Sequence, residues 1–436
     1  SAIMPALFKD SPEYEARKKA AFAPPTITIK DVHAAVPKHL FQRSTAKCLF
    51  YTGRHLAISV ALYVFATKID RSVLAVAREY SLSANAVATA KYALWAFYWF
   101  WQSVAFTGTW TLGAPRTARC GHDALAPTAL LNAVLGMVLH TFMLTPYYAW
   151  RATHRTHHKG TNNLDRDETY HPMTREDYHL PPASIAKPMD YQELVEETPL
   201  FTIYKMIIRQ FLGFQLYLIH NRKGNPKYPP WTSHYKPSSL LFRPEERKYI
   251  ALSDAAMAVM VSLLGYWVYQ TSWSNVWRLY FVPWLWAHNW IVTITYLQHS
   301  DPTVPYYRGQ WTFLRGALAT VDRPMFGWIG RFFWHGIAHD HIAHHFFVTV
   351  PFYNLPQVTE AIKPVLGDYY YYDSTPTLYA LWRSFTQCKF IENEGDIVFF
   401  KDQQGNAVRA FSPEVAAKSA TEVAPASQDE KIDVLN

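Results

Sequence analysis

The chain has 436 residues, half of them drawn from AVILMFWYC and 16% aromatic, which fits a membrane protein with interfacial Trp and Tyr better than a string of soluble domains. Mean hydropathy is slightly negative, −0.12, so the apolar residues must be gathered into a few segments between polar ones. The net charge of +8 is spread without a long basic run or an aromatic-basic signature, which argues against nucleic acid as a partner and for a basic face towards anionic lipid headgroups. Only Cys48, Cys120 and Cys388 occur, with no CxxC pair, so neither a disulfide framework nor a thiolate zinc site is expected, and a reducing compartment is.

In chain order, residues 1–50 read as a polar N-terminal cytosolic segment, with "APPTITIKDVHAAVPKHLFQRS" an extended stretch leading to a short helix. The charges and prolines of residues 1–40 predict no cleavable signal before the first apolar stretch. Four spans are predicted, at about 55–77, 92–112, 251–273 and 277–298, as two out-and-back hairpins that leave both termini on one side. The first is interrupted at Lys68 and Asp70 and is short for a hydrocarbon core of roughly 30 Å. The segment 129–150 is also apolar, but a single crossing there would put His122 and His154 on opposite faces of the membrane. We therefore expect it to lie along the interface, re-enter near Pro146, or pack inside protein. Residues 113–250 and 299–402 read as an extramembrane cap and 403–436 as a disordered tail, with no repeat of fixed period.

The chemistry is concentrated in histidines. "HRTHH" supplies His154, His157 and His158, and "HIAHH" supplies His341, His344 and His345. The i, i+3, i+4 spacing puts three imidazoles on one helical face, able to converge on a metal. With 19 histidines in the chain, one such triplet is expected by chance in only about 0.04 of sequences, and this one has two. One triplet alone could make a zinc site, but no H-E-x-x-H general base accompanies either. Six or more imidazoles also suit two irons. The pairs Glu168-x-x-His171 and Glu176-x-x-His179 would suit a soluble carboxylate di-iron site, yet they sit in a proline-bounded polar stretch and not on two long helices. His140, His288 and His335 read as structural histidines.

The sequence around these triplets resembles the membrane-bound fatty acyl desaturases, and most closely their fungal and plant oleate (delta-12) branch. The likeness runs over roughly residues 23–402, through "PPTITIKDVHAAVPKHLFQRS", "LHTFMLTPYYAWRATHRTHH", "NNLDRDETYHP", "TITYLQHSDPTVPYY", "RGALATVDR", "HGIAHDHIAHHFF" and "DSTPTLYALWRSFTQCKFIE". The resemblance implies an all-α integral membrane protein of the endoplasmic reticulum, with four transmembrane helices and a cytosolic helical cap over a histidine-rich dimetal site. It implies a membrane desaturase domain over residues 51–402. It further implies two metal ions, with iron the expected metal, O2 as co-substrate, an acyl-lipid, acyl-CoA or lipid-like substrate, and electrons from a separate b-type cytochrome and its reductase, since no His-Pro-Gly-Gly haem motif occurs. Carried over by position, the ligands would be His122, His154, His157, His158, His299, His341, His344 and His345. Desaturation, hydroxylation and acetylenic-bond formation share this machinery.

The chain departs from that branch at its first box, where His-Glu-Cys-Gly-His is usual and Ala118-Arg119-Cys120-Gly121-His122 stands. A guanidinium about 6 Å from a unit positive charge costs roughly 3 kcal/mol at an effective dielectric of about 20, and more against a dication. Three readings stay open: a centre with water in place of the missing imidazole, a substitute ligand such as His339 or Asp123, or a non-catalytic homologue that binds lipid or a partner. Two further departures lie beyond the third box, where Phe352 and Asn354 replace the usual histidines, and His339 replaces an acid.

Overall fold

The computed structural model describes residues 7–113 and 126–417. Ala118, Arg119, His122 and Asp123 therefore lie outside the described residues. The described chain is predominantly helical. Its one sheet pairs β1 (Tyr306–Tyr307) with β2 (Ile397–Val398) antiparallel.

Two long helices come first, α1 (Thr45–Glu79) and α2 (Ala84–Gly113), packed against each other. α1 starts where the Ser44 hydroxyl accepts the Lys47 N–H. Lys68 and Asp70 interrupt the apolar run but not the helix, and Asp70 is paired with Lys91 (3.7 Å) and Arg278 (3.1 Å) and accepts the Trp95 indole N–H. α2 is the central post, and its C-terminal half is almost continuously buried from Gln102 to Gly113. There it meets Trp290 of α7 (Val282–His299), whose indole donates to Ser103 Oγ at 2.9 Å.

Between these lie α3 (Ala129–Phe142), α4 (Tyr147–Gly160), α5 (Pro199–His220) and α6 (Arg247–Gln270). α3 and α4 meet at 106°. The chain turns between them with Leu144 at a positive φ of 53° and Pro146 just before α4, where a missing N–H costs nothing. The apolar segment 129–150 is thus two short pieces and not one straight rod. Among the described residues one helix, Pro244–Gln270, is by itself long and apolar enough to cross a membrane. Its side chains Leu252, Val259, Val261, Leu263 and Tyr266 point outward, away from the protein core. The other three predicted spans also fall within helices, but with Lys68, Asp70 and Arg71 in the first and many Trp and Tyr in the second and fourth.

The N-terminal segment is docked on the protein. Arg17 reaches a buried charge network in which Arg323 Nη2 sits 2.7 Å from Asp301 Oδ2 and Arg383 Nη2 sits 2.5 Å from Asp373 Oδ2. Residues 403–417, expected as the start of a disordered tail, are docked too. The Phe22 N–H donates to Ala410 O, Ser412 N–H returns to Phe22 O, and Arg409 donates to Ala20 O. Two anchors, Arg409 and Phe411, sit in a stretch whose composition gave no sign of them.

Candidate metal centre

Three pieces of chain carry the histidines. α4 places His154, His157 and His158 on its buried side. α8 (His341–Phe346) is one and a half turns long and wholly buried, held at its start by Asp322 Oδ1, which accepts the Ile342 N–H at 2.8 Å. His299 closes α7, just before the Asp301 network. Together they form two groups whose ligand atoms lie within 4.8 Å of one another: His154, His158 and His344 in one, His157, His299 and His345 in the other. The groups share a wall, because the His158 and His345 rings stack at 4.2 Å.

In the second group the protons of His157 and His345 are pinned, as is that of the adjoining His341, whereas His299 Nδ1 is buried without a hydrogen-bond partner. His157 Nδ1 is 2.6 Å from Asp167 Oδ1, and a carboxylate can only accept, so Nδ1 carries the proton and Nε2 the lone pair. His341 Nδ1 faces the Ile337 carbonyl at 3.2 Å, with the same result. Thr161 donates to the His157 carbonyl, which leaves its oxygen to accept from His345 Nδ1 at 3.2 Å. The Nε2 atoms then converge: His157 Nε2 lies 3.3 Å and His341 Nε2 3.0 Å from His299 Nε2, and His345 Nε2 lies 3.1 Å from His341 Nε2. The lone pairs of His341 and His345 face each other, and two facing lone pairs cannot satisfy one another by hydrogen bonding. Metal–nitrogen bonds of about 2.0–2.1 Å would put neighbouring ligands about 3 Å apart, which is this spacing. Burial, and then the neighbouring imidazoles, push His158, His299 and His345 well below the ordinary histidine value, so they stay neutral as metal ligation requires.

The first group is held differently. His154 stacks on Trp150 at 4.3 Å, His158 Nε2 lies 3.1 Å from His154 Nε2, and His158 Nδ1 is buried without a hydrogen-bond partner.

Seven of the eight ligand candidates are thus brought together, His341 by its contacts with His299 and His345, while His122 lies outside the described residues. His339 is in neither group. It faces the Gly327 carbonyl and Arg331, and burial followed by that charge pushes it down to about 4. Glu168, from the carboxylate alternative, takes the Tyr228 hydroxyl and Lys227 and joins neither group. His140 and His288 bond to the carbonyls of Gly136 and Trp284, and His335 Nδ1 contacts Thr111, as structural histidines do. Sequence reasoning missed Asp167 and Thr161. Asp167 is ten residues past His157 in a turn, flanked by Asp165 and Glu168, so no helical spacing could select it.

Comparison with known proteins shows the family. Residues 93–376, more than half of the chain, match the family described as fatty acid desaturase. The chain is 38% identical over 383 residues to the Delta(12) fatty acid desaturase of Mortierella alpina, covering 86% of this chain and 91% of that protein. It is 35% identical over 420 residues to an oleate hydroxylase of Claviceps purpurea (90% and 84%) and 34% identical over 388 residues to a Delta(12)-fatty-acid desaturase of Arabidopsis thaliana (88% and 93%). The chain belongs to the fatty acid desaturase family, as an oxidoreductase of its delta-12 desaturase-like branch.

Proposed function

We propose that this protein introduces a double bond into the acyl chain of a membrane lipid, using O2 at a pair of metal ions, with iron the metal. The observation that carries the reading is the convergence of Nε2 atoms from His157, His299, His341 and His345 beside a second group of His154, His158 and His344. All are neutral nitrogen donors, a set that suits iron. When bound, such a centre supplies the oxidant that takes hydrogen from an unactivated methylene. The protein's own part is to keep His157, His345 and His341 in the tautomer that presents Nε2, through Asp167, Thr161 and the Ile337 carbonyl, and to shield the site from water. His122 completes the proposed ligand set.

The outward apolar side chains of α6 and α1 support a multi-pass placement in the endoplasmic reticulum membrane, with four spans (α1, α2, α6 and α7) and the histidines on the cytosolic side. A separate b-type cytochrome and its reductase would deliver electrons there. A second reading, hydroxylation on the same scaffold, is favoured by the 35% identity to the Claviceps purpurea oleate hydroxylase. A non-catalytic role is favoured by Ala118 and Arg119 in the first box. The test is expression in a host that supplies cytochrome and reductase, with lipid profiling and iron analysis of the natural protein and of Ala118→His/Arg119→Glu. Two irons and a new unsaturated or hydroxylated lipid from the natural protein support the enzyme and choose between its two outcomes. An intact fold without iron sinks the metal reading. Product from the double variant alone would mean that the first box has silenced the natural chain.

A further inference from the structure

Phe352 and Asn354, the departures beyond the third box, are not in the histidine groups. Their side chains instead tie the loop after α8 to the N-terminal segment. Asn354 Nδ2 donates to the Leu40 carbonyl at 2.8 Å, and the Ser44 N–H donates to the Tyr353 hydroxyl at 2.9 Å. Phe352 packs edge-on against Tyr51 at 5.1 Å. Between the two ties the walls stand apart and leave a cleft of about 420 Å³, within the size range of small-ligand sites of about 300–1,000 Å³.

The lining of this cleft has one sign of charge. Arg43 and Lys47 supply cations, His39, Gln42, Ser44, Asn354 and Gln357 supply hydrogen-bonding groups, and no carboxylate is among the nine lining residues. Lys47 is held over the Tyr353 ring at 5.2 Å, so one cation is fixed on a wall of the cleft. An arginine beside a lysine, with amide and hydroxyl donors around them, is the chemistry that binds phosphate oxygens. Location narrows the source. Leu49 and Phe50 are exposed within one turn of Lys47, followed by Leu56, Val60 and Val64 on the same helix, so the cleft opens where an outward apolar surface begins. That is headgroup level if α1 lies in the bilayer, a placement taken from the proposed function.

We propose that this cleft binds a phosphate group, supplied by the headgroup of a membrane lipid, with Arg43 and Lys47 as its cations and Asn354 as the tie that forms the site.

Native mass spectrometry of the full-length protein in detergent tests it without turnover. The probes are a short-chain phosphatidic acid, the matching uncharged diacylglycerol, and inorganic phosphate as competitor. Phosphatidic acid should bind at least tenfold more tightly than diacylglycerol, and Arg43→Gln/Lys47→Gln should remove that preference. Lys18→Gln/Lys19→Gln, which removes two cations elsewhere, should keep it. Asn354→Ala should weaken it several-fold. Displacement by millimolar inorganic phosphate would identify a general phosphate site, and resistance to it a lipid headgroup site. Equal binding of the two lipids, or an unchanged preference in the Arg43/Lys47 variant while its thermal unfolding matches the natural protein, overturns the proposal. Because binding is read without iron or product, it can fail while the oxidase reading stands, and the reverse.

Discussion

The two histidine groups differ in what holds them. His157, His345 and the adjoining His341 are oriented by hydrogen bonds to Asp167, Thr161 and the Ile337 carbonyl, and His299 is carried on a helix end that runs straight into the buried Asp301 network. His154 and His158 are placed by stacking, on Trp150 and on His345. A hydrogen bond fixes which nitrogen carries the proton, and at His157, His341 and His345 that nitrogen is Nδ1. The contrast implies that the Asp167 side is set for its metal by hydrogen bonds before the metal arrives, whereas the contacts seen on the Trp150 side are between ring faces.

Removing one ligand from each side is the strongest way to break that contrast. His157→Ala should lower bound iron below one equivalent, by more than the about 10–100-fold in affinity that loss of a supporting partner costs. His154→Ala should leave one equivalent in place. Metal analysis of the purified proteins decides, and loss of both irons from both variants would show that the groups act as one unit.

The anchor behind His299 comes next. Burial raises the Asp373 carboxyl, but Arg323 and Arg383 outweigh it and hold the group far below its ordinary 3.8. A depressed acid contributes stability that is present above the unfolded value, about 3.9, and lost as pH falls towards the folded one. Asp373→Asn, which leaves buried guanidiniums without their partner, should therefore cost about 3–5 kcal/mol at pH 5–7, and less below pH 4. Thermal unfolding in detergent across pH measures it. A penalty that does not shrink in acid would mean that lost packing, and not lost charge, is responsible.

How much of this was legible beforehand follows from what kind of pattern each feature leaves. The i, i+3, i+4 triplets are periodic, and the structure gathers both. Their partners are not periodic. Asp167 approaches His157 through a turn, Thr161 touches His345 across 184 positions, and Asp301 finds Arg17 and Arg323 from distant segments. The same holds for Asp70, a charge inside the first predicted span whose partner Arg278 lies far along the chain. His299 was identified from a family likeness, since a lone histidine at a helix end has no spacing to betray it.

Within the hydrogen-bonded group, the supports themselves can be graded. Asp167→Asn can still contact His157 Nδ1, but as a neutral acceptor it no longer favours a charged or metal-bound imidazole. Iron affinity should fall about 10–100-fold, read by competition with a chelator.

Thr161→Val should have the smallest effect. It is nearly isosteric, but the hydroxyl both donates to the His157 carbonyl and accepts from His345 Nδ1. Losing it leaves a buried N–H without a partner, at about 1–3 kcal/mol, unless His345 moves its proton to Nε2. That tautomer would put an N–H where His341 Nε2 already sits, 3.1 Å away, and turn a ligand into a hydrogen-bond donor. The variant should thus keep its fold and its iron at the Trp150 side while iron at the Asp167 side exchanges faster. Thr161→Ser, which restores the hydroxyl, should return the natural exchange rate. If valine and serine exchange iron alike, the orientation of His345 comes from stacking against His158, and the distinction between the two groups narrows to Asp167 alone.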